Sequence, residues 1–157
     1  MSTGKIIKTY ITETAHIVRE ASTIRCKNSI HGHSYKWIVT IEGTIHKNGM
    51  IIDFKDLEPI KKLIDLFDHA AVLWEQEQPD IIEFFKKNFA RVIIMNKNCT
   101  AENMARAIFK ISSEWLSSYY SDCSIVQVDV WETKSGCSVA TESSLDDSFI
   151  STHDIEE

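Results

Sequence analysis

From Tyr35 to Glu42 the chain alternates without interruption, with Tyr35, Trp37, Val39 and Ile41 on one side and Lys36, Ile38, Thr40 and Glu42 on the other. Side chains of an extended backbone leave opposite faces in turn, so this run is a long strand with one dry and one wetter face. A strand of that kind belongs to an antiparallel sheet and needs partner strands and a layer over its dry side. The same run opens with His31-Gly32-His33. At period two both imidazoles leave one face, their Cα atoms about 7 Å apart, which suits one shared ion. Gly32 has no side chain on the other face and lets a backbone or ligand come close. Two histidines on a half-exposed strand are as readily plain solvated surface, so the rest of the chain has to decide.

Partners for this strand lie on both sides of it in sequence. Residues Lys5 to Val18 form an extended segment with His16 at its far end, followed by an irregular polar stretch that contains Cys26. After Gly43, the turn His46-Lys47-Asn48-Gly49 predicts a hairpin, with Met50-Ile51-Ile52 returning as the partner strand. Pro59 is tolerated within a first helical turn, so a helix is expected from about Leu57, with Ile60, Leu63, Ile64 and Phe67 as its apolar stripe. Glu75 to Asp80 break the pattern, a short helix follows from Ile81 to Phe89, and Arg91 to Met95 predicts a strand. Thr100 caps a second long helix with Met104, Ile108, Ile111 and Trp115 on one face. In the last strand, Ser124 to Thr133, Val126, Val128, Val130 and Glu132 share one side. The expected architecture is α+β: an antiparallel four-stranded sheet with two long helices packed on one face, assembling through its open sheet edges.

Composition limits the partners. The net charge of −6 arises in residues 141–157, which hold six acids and no Lys or Arg; the remaining body balances 17 acids against 17 bases. No basic stripe suited to a phosphate backbone results, so nucleic acid is not an expected partner. Residues 1–140 form the expected domain, and 141–157 an acidic, disordered tail. Apolar runs such as Val92 to Met95 are too short for a membrane span, and the amino terminus lacks an apolar signal segment, so a cytoplasmic protein is expected. Cysteines 26, 99, 123 and 137 show no CxxC spacing, and reduced thiols are the expectation.

If the first strand pairs beside the one that begins at His31, His16 becomes the natural third ligand beside His31 and His33. Three neutral imidazoles with an open fourth position describe a catalytic zinc site rather than a structural one. Cys26 as a fourth ligand would close that site; left unligated, its thiol near a dication is a usable base or nucleophile. Asp68-His69 offers an acid–base unit, or else a histidine favoured by the negative end of a helix. Glu132 lies on a valine-lined face where an unpaired carboxylate is costly; it needs a cationic or amide-rich partner, such as a planar ligand with two adjacent N–H groups.

These residues occur within blocks that resemble a known family, the 6-pyruvoyltetrahydropterin and 6-carboxytetrahydropterin synthases of the tunnelling fold. The blocks are Glu13-Thr14-Ala15-His16, Cys26 with His31-Gly32-His33-Ser34-Tyr35, Gly49 to Phe54, Phe67-Asp68-His69, Thr100-Ala101-Glu102-Asn103 and Val130-Trp131-Glu132-Thr133. The resemblance implies that His16, His31 and His33 bind zinc, that Cys26 is the catalytic base, and that Asp68 and His69 relay protons. It also implies that Glu132 grips the pterin ring and joins the relay, with Thr100 on the substrate side. The bacterial members most similar to this chain convert 7,8-dihydroneopterin triphosphate to 6-carboxy-5,6,7,8-tetrahydropterin, releasing acetaldehyde and triphosphate, on the route to queuosine. The related pyruvoyl-forming reaction is the nearest alternative, and a non-catalytic zinc-binding oligomer is another. Family members are trimers or hexamers with sites between subunits. The interval from Cys26 to His31 is one residue longer here than in many bacterial members.

Overall fold

Strands β1 (Thr3–His16) and β2 (His31–Thr44) run antiparallel along their whole length, from Thr3 opposite Thr44 to His16 opposite His31. In the computed structural model, which describes residues 1–153, this ladder is the spine of the molecule. The alternation of the sequence is realised directly: Tyr35, Trp37, Val39 and Ile41 are buried, and the residues between them are more open. Strand β5 (Cys123–Trp131) occupies the other edge of β2, also antiparallel.

The expected four-stranded antiparallel sheet is corrected to a mixed sheet of seven strands. Its order is β6-β5-β2-β1-β3-β4-β7, where β3 is Ala70–Trp74, β4 Val92–Met95, β6 Cys137–Ala140 and β7 Ile150–His153. Strand β3 runs parallel to the end of β1, and β4 parallel to β3. Met50-Ile51-Ile52 does not return as a strand, because β5 holds the edge of β2 that such a strand would need. The turn forms nonetheless, with His46 N–H donating to the Met50 carbonyl at 2.9 Å and Gly49 at a φ of 81°.

A second correction concerns the acidic segment. Residues 141–153, expected outside the fold, make a short 3-10 turn at Glu142–Ser144 and then the edge strand β7, with Ile150 and Ser148 buried. Asn96 fixes this segment, since its Oδ1 accepts the Phe149 N–H at 2.7 Å and its Nδ2 donates to the Asp147 carbonyl at 2.6 Å. The rest of the expected tail, 154–157, lies outside the described residues. A third correction is one of register. A bulge opposite Thr40 and Ile41 puts Ile125 inside with Val128 and Val130, and leaves Val126 only half-buried.

The helices are α1 (Ile24–Lys27), α2 (Glu58–Asp65, with Pro59 in its first turn), α3 (Pro79–Asn88) and α4 (Ala101–Tyr119). Ile60 and Ile64 of α2 and Met104 and Ile108 of α4 join Trp37, Val39 and Ile41 in one core. Helix α3 packs through Ile82 and Phe85 on a separate small cluster of Ile17, Leu73 and Val92. Beneath the future site the buried polar groups are satisfied in series: Trp37 Nε1 donates to Thr12 Oγ1 at 2.9 Å, Thr12 meets Thr14 at 2.9 Å, and Thr14 Oγ1 donates to the Phe67 carbonyl at 2.8 Å. That chain pins the residue just before Asp68-His69 to the sheet.

Candidate metal centre and adjoining cavities

Because His16 faces His31 across the ladder and His33 follows at period two, three imidazoles meet at one end of the spine. One nitrogen from each lies within 4.8 Å of the other two. The Nε2 atoms of His16 and His31 are 3.1 Å apart. Their Nδ1 atoms face backbone carbonyls, of Cys99 at 2.8 Å and Ser29 at 3.0 Å. Those contacts place the proton on Nδ1 and leave each Nε2 lone pair free toward the other rings. His33 Nε2 is buried and has no hydrogen-bond partner, a costly condition unless something else takes its lone pair. Burial holds the His16 pKa down to about 4 and lowers that of His33, against the raising effect of Glu132. Both are therefore neutral donors at pH 7. A cation fits this donor set: three neutral nitrogens, two of them oriented from behind by carbonyls and one otherwise orphaned.

Glu132 stands one residue beyond β5, with Oε1 3.6 Å from His33 Nε2 and Oε2 4.0 Å from His16 Nε2. The Tyr35 hydroxyl donates to Glu132 Oε2 at 3.3 Å and lies 3.1 to 3.2 Å from the His16 ring nitrogens. Burial, reinforced by Glu132, raises the Tyr35 pKa far above the ordinary phenol value, so the hydroxyl stays a donor. Tyr35 is the site residue that sequence reasoning missed. The alternation assigns it to the dry core face, and its spacing of two from His33 puts it on the metal-facing side as well.

Cys26 sits in the one-turn helix α1, whose Thr23 cap accepts the Cys26 N–H. With His31, Thr100, Glu102, Glu132 and Cys137 it lines a cavity of about 360 Å³ beside the histidines. Thr100 caps α4 by accepting the Asn103 N–H at 3.2 Å, and its hydroxyl hydrogen remains available to the cavity. The structure thus brings Cys26, Glu132 and Thr100 together around one cavity that His31 also lines.

Asp68 and His69 are placed elsewhere. His69 lines a second cavity of about 720 Å³, with Glu13, His33, Phe85, Phe89 and Arg91. Its Nδ1 is 2.9 Å from Asp68 Oδ2, and its backbone adopts a left-handed φ of 57°, a strained conformation for a side-chain-bearing residue. The Glu13 N–H, donating to Asp68 Oδ1 at 2.8 Å, holds the Asp68 carboxyl below the usual carboxylate range, and His69 adds to the effect. Within one chain this pair and Cys26 open into different cavities.

A mixed sheet backed by helices, with three imidazoles that could hold a metal ion gathered at one end of its longest ladder, defines the chain as an α+β protein. The sequence profile of the 6-pyruvoyl tetrahydropterin synthase family matches residues 5–143, and the chain belongs to that family. A protein of Haemophilus influenzae named 6-carboxy-5,6,7,8-tetrahydropterin synthase is 31% identical over 137 residues, covering 82% of this chain and 92% of its own length. The protein of that name from Helicobacter pylori strain J99 is 31% identical over 129 residues; the match covers 78% of this chain and 64% of the relative. Among solved structures, an uncharacterized protein from Wolinella succinogenes superposes with a TM-score of 0.72 at 17% identity, covering 90% of this chain and 99% of its own. The 6-pyruvoyltetrahydropterin synthase of Plasmodium vivax, in a catalytic-residue variant, superposes at 0.67 and 18% identity, covering 89% and 98%. These structures share the fold. No helix among the described residues is long and apolar enough to cross a membrane.

Proposed function

We propose that this protein is a cytoplasmic, zinc-dependent carbon–carbon lyase of queuosine biosynthesis. It converts 7,8-dihydroneopterin triphosphate to 6-carboxy-5,6,7,8-tetrahydropterin, with release of acetaldehyde and triphosphate. The observation that carries the reading is the convergence of His16, His31 and His33 next to a cavity lined by Cys26 and Glu132. The names of the relatives support the choice of reaction. Four free thiols accord with a reducing compartment.

His16, His31 and His33 would hold the zinc, which when bound polarises substrate oxygen atoms and makes hydroxyl protons more acidic. Cys26, at the wall of the same cavity, takes a proton from the substrate side chain. Glu132 accepts two adjacent N–H groups of the pterin ring, kept in place by the Tyr35 hydroxyl, and Thr100 offers a further hydroxyl. Asp68 accepts from His69 Nδ1 and so turns His69 Nε2 outward as the second proton carrier. Since that pair opens into the other cavity, we assign it to a site completed by a second copy of the chain, in a trimer or hexamer. The pyruvoyl-forming reaction is the second reading, favoured by the family match and by the name of the Plasmodium vivax neighbour.

Incubation of the zinc-loaded protein with 7,8-dihydroneopterin triphosphate, followed by mass spectrometry, separates the two. The lyase reading predicts the carboxy product and acetaldehyde, and a loss of about 10² to 10⁴ in turnover for Cys26→Ala with zinc retained. A pyruvoyl product without acetaldehyde, or undiminished turnover in that variant, would overturn it.

A further inference from the structure

The chain leaves the sheet at His16 and re-enters it at His31; after the buried Ile17 the segment carries Cys26 on α1, none of whose own residues is buried. A one-turn helix without packing is marginal and needs other restraints. Two are local and modest: the Val18 N–H donates to the Cys26 carbonyl at 3.1 Å, and the Thr23 hydroxyl accepts the Cys26 N–H at 3.4 Å. The third restraint comes from Arg19.

Nε and Nη2 of Arg19 donate to the two carboxylate oxygens of Glu77 at 2.7 and 2.9 Å, a planar fork, while Nη1 donates to the Lys27 carbonyl at 2.8 Å. The Glu77 side chain is 4% exposed, and its Oε1 also accepts the Gln78 N–H at 3.1 Å. The Arg19 carbonyl in turn accepts from Asn98 Nδ2, next to the Cys99 whose carbonyl faces His16 Nδ1. A buried carboxylate is costly without its cation, yet such a pair adds little net stability over an apolar pair of the same size. What it supplies here is direction: one edge of the guanidinium is fixed by Glu77 and the other grips the residue next to Cys26. No step of the proposed chemistry uses either group.

We propose that Arg19, clamped by Glu77, is a positioning residue that holds Cys26 at the cavity it shares with His31 and Glu132. The inference rests on the reading of Cys26 as the base, but the clamp itself has a readout independent of turnover.

The test is Arg19→Gln in the zinc-loaded protein, with Arg19→Gln/Glu77→Gln as the variant that leaves no uncompensated buried charge. Three results are expected of both: zinc stoichiometry unchanged, tryptic nicking of the native protein after Arg25 or Lys27 faster by about tenfold or more, and kcat lower by about 10- to 100-fold with KM within about threefold. The double variant loses no more than the single one, because the two groups act as a unit. Nicking and kcat within about twofold of wild type in the double variant, or zinc lost in step with activity, would overturn the proposal. Should Cys26→Ala itself prove active while nicking rises as expected, the clamp stands and the thiol's role fails.

Discussion

The His16 side chain has no solvent exposure and its pKa is held at about 4 by burial, against an ordinary 6.5. The unfolded chain therefore takes up the proton first. Stability of the metal-free protein is intact above about pH 6.5 and falls as the pH drops from there toward 4, where the folded state begins to bind the proton as well. At about 1.36 kcal/mol per pH unit, the whole gap is worth about 3.4 kcal/mol, of which about 3 kcal/mol is lost between pH 7 and pH 4. His33, lowered by burial as well, adds in the same direction. The carboxylates of Asp68 and Glu77, depressed by their hydrogen bonds, lose their contribution at lower pH and overlap only the end of this window. Urea unfolding with excess chelator, followed by tryptophan fluorescence to which the buried Trp37 contributes, isolates the effect when wild type is compared with His16→Gln, which cannot titrate. The account predicts that the difference in unfolding free energy between the two is nearly flat above pH 7 and moves by about 3 kcal/mol against wild type by pH 4. A difference that does not change with pH would refute the argument that burial keeps this imidazole neutral.

Further outcomes follow from single contacts. Tyr35→Phe removes the hydroxyl that donates to Glu132 and should cost about 1–2 kcal/mol in urea unfolding with zinc content unchanged; an unchanged midpoint would show that Glu132 has another donor. Gly43→Ala would put a Cβ 2.5 Å from Cys123 Cβ and 2.8 Å from the Asp122 carbonyl oxygen, and since a backbone oxygen cannot swing away, a loss of about 2 kcal/mol is expected. Asn96→Ala should free β7 from β4, so that amide exchange of residues 149–153 accelerates about tenfold or more while β1 and β2 are unaffected; uniform acceleration would mean that β7 is integral to global stability.

The spine of the fold could be read from the chain because its signal is local. Alternation from Tyr35 to Glu42 fixes which face is dry, and His31 and His33 share that face whatever pairs beside them. His16 was legible one step further, through the length of the first extended segment, and the ladder indeed sets it opposite His31. The short strands β3, β4 and β7 depend on pairings between distant segments, and β3 is too brief and too uniformly apolar to show a period. Met50-Ile51-Ile52 has the composition of a strand, but competition for the edge of β2 is decided by β5, more than 70 residues away in the chain. The average charge of the acidic segment hides what docks it: Ile150 is buried at the edge of β4, Asn96 bonds the backbone of Asp147 and Phe149, and Lys97 and Arg106 pair with Asp147 and Asp146. Within the site, backbone carbonyls that orient the imidazoles carry no residue-type signal at all, which is why the roles of Cys99 and Ser29 emerge only from coordinates. The separation of Asp68-His69 from Cys26 is likewise a matter of tertiary placement.

The central claim is that three imidazoles hold the metal and leave a place for substrate, with the Cys26 thiol outside the coordination sphere. X-ray absorption at the zinc edge of the loaded protein tests it most directly. The account predicts three nitrogen scatterers at about 2.0–2.1 Å with one further light atom, and the loss of one nitrogen in His31→Ala. A sulfur scatterer at about 2.3 Å would contradict it, because the site would then be closed and Cys26 could not act as a base.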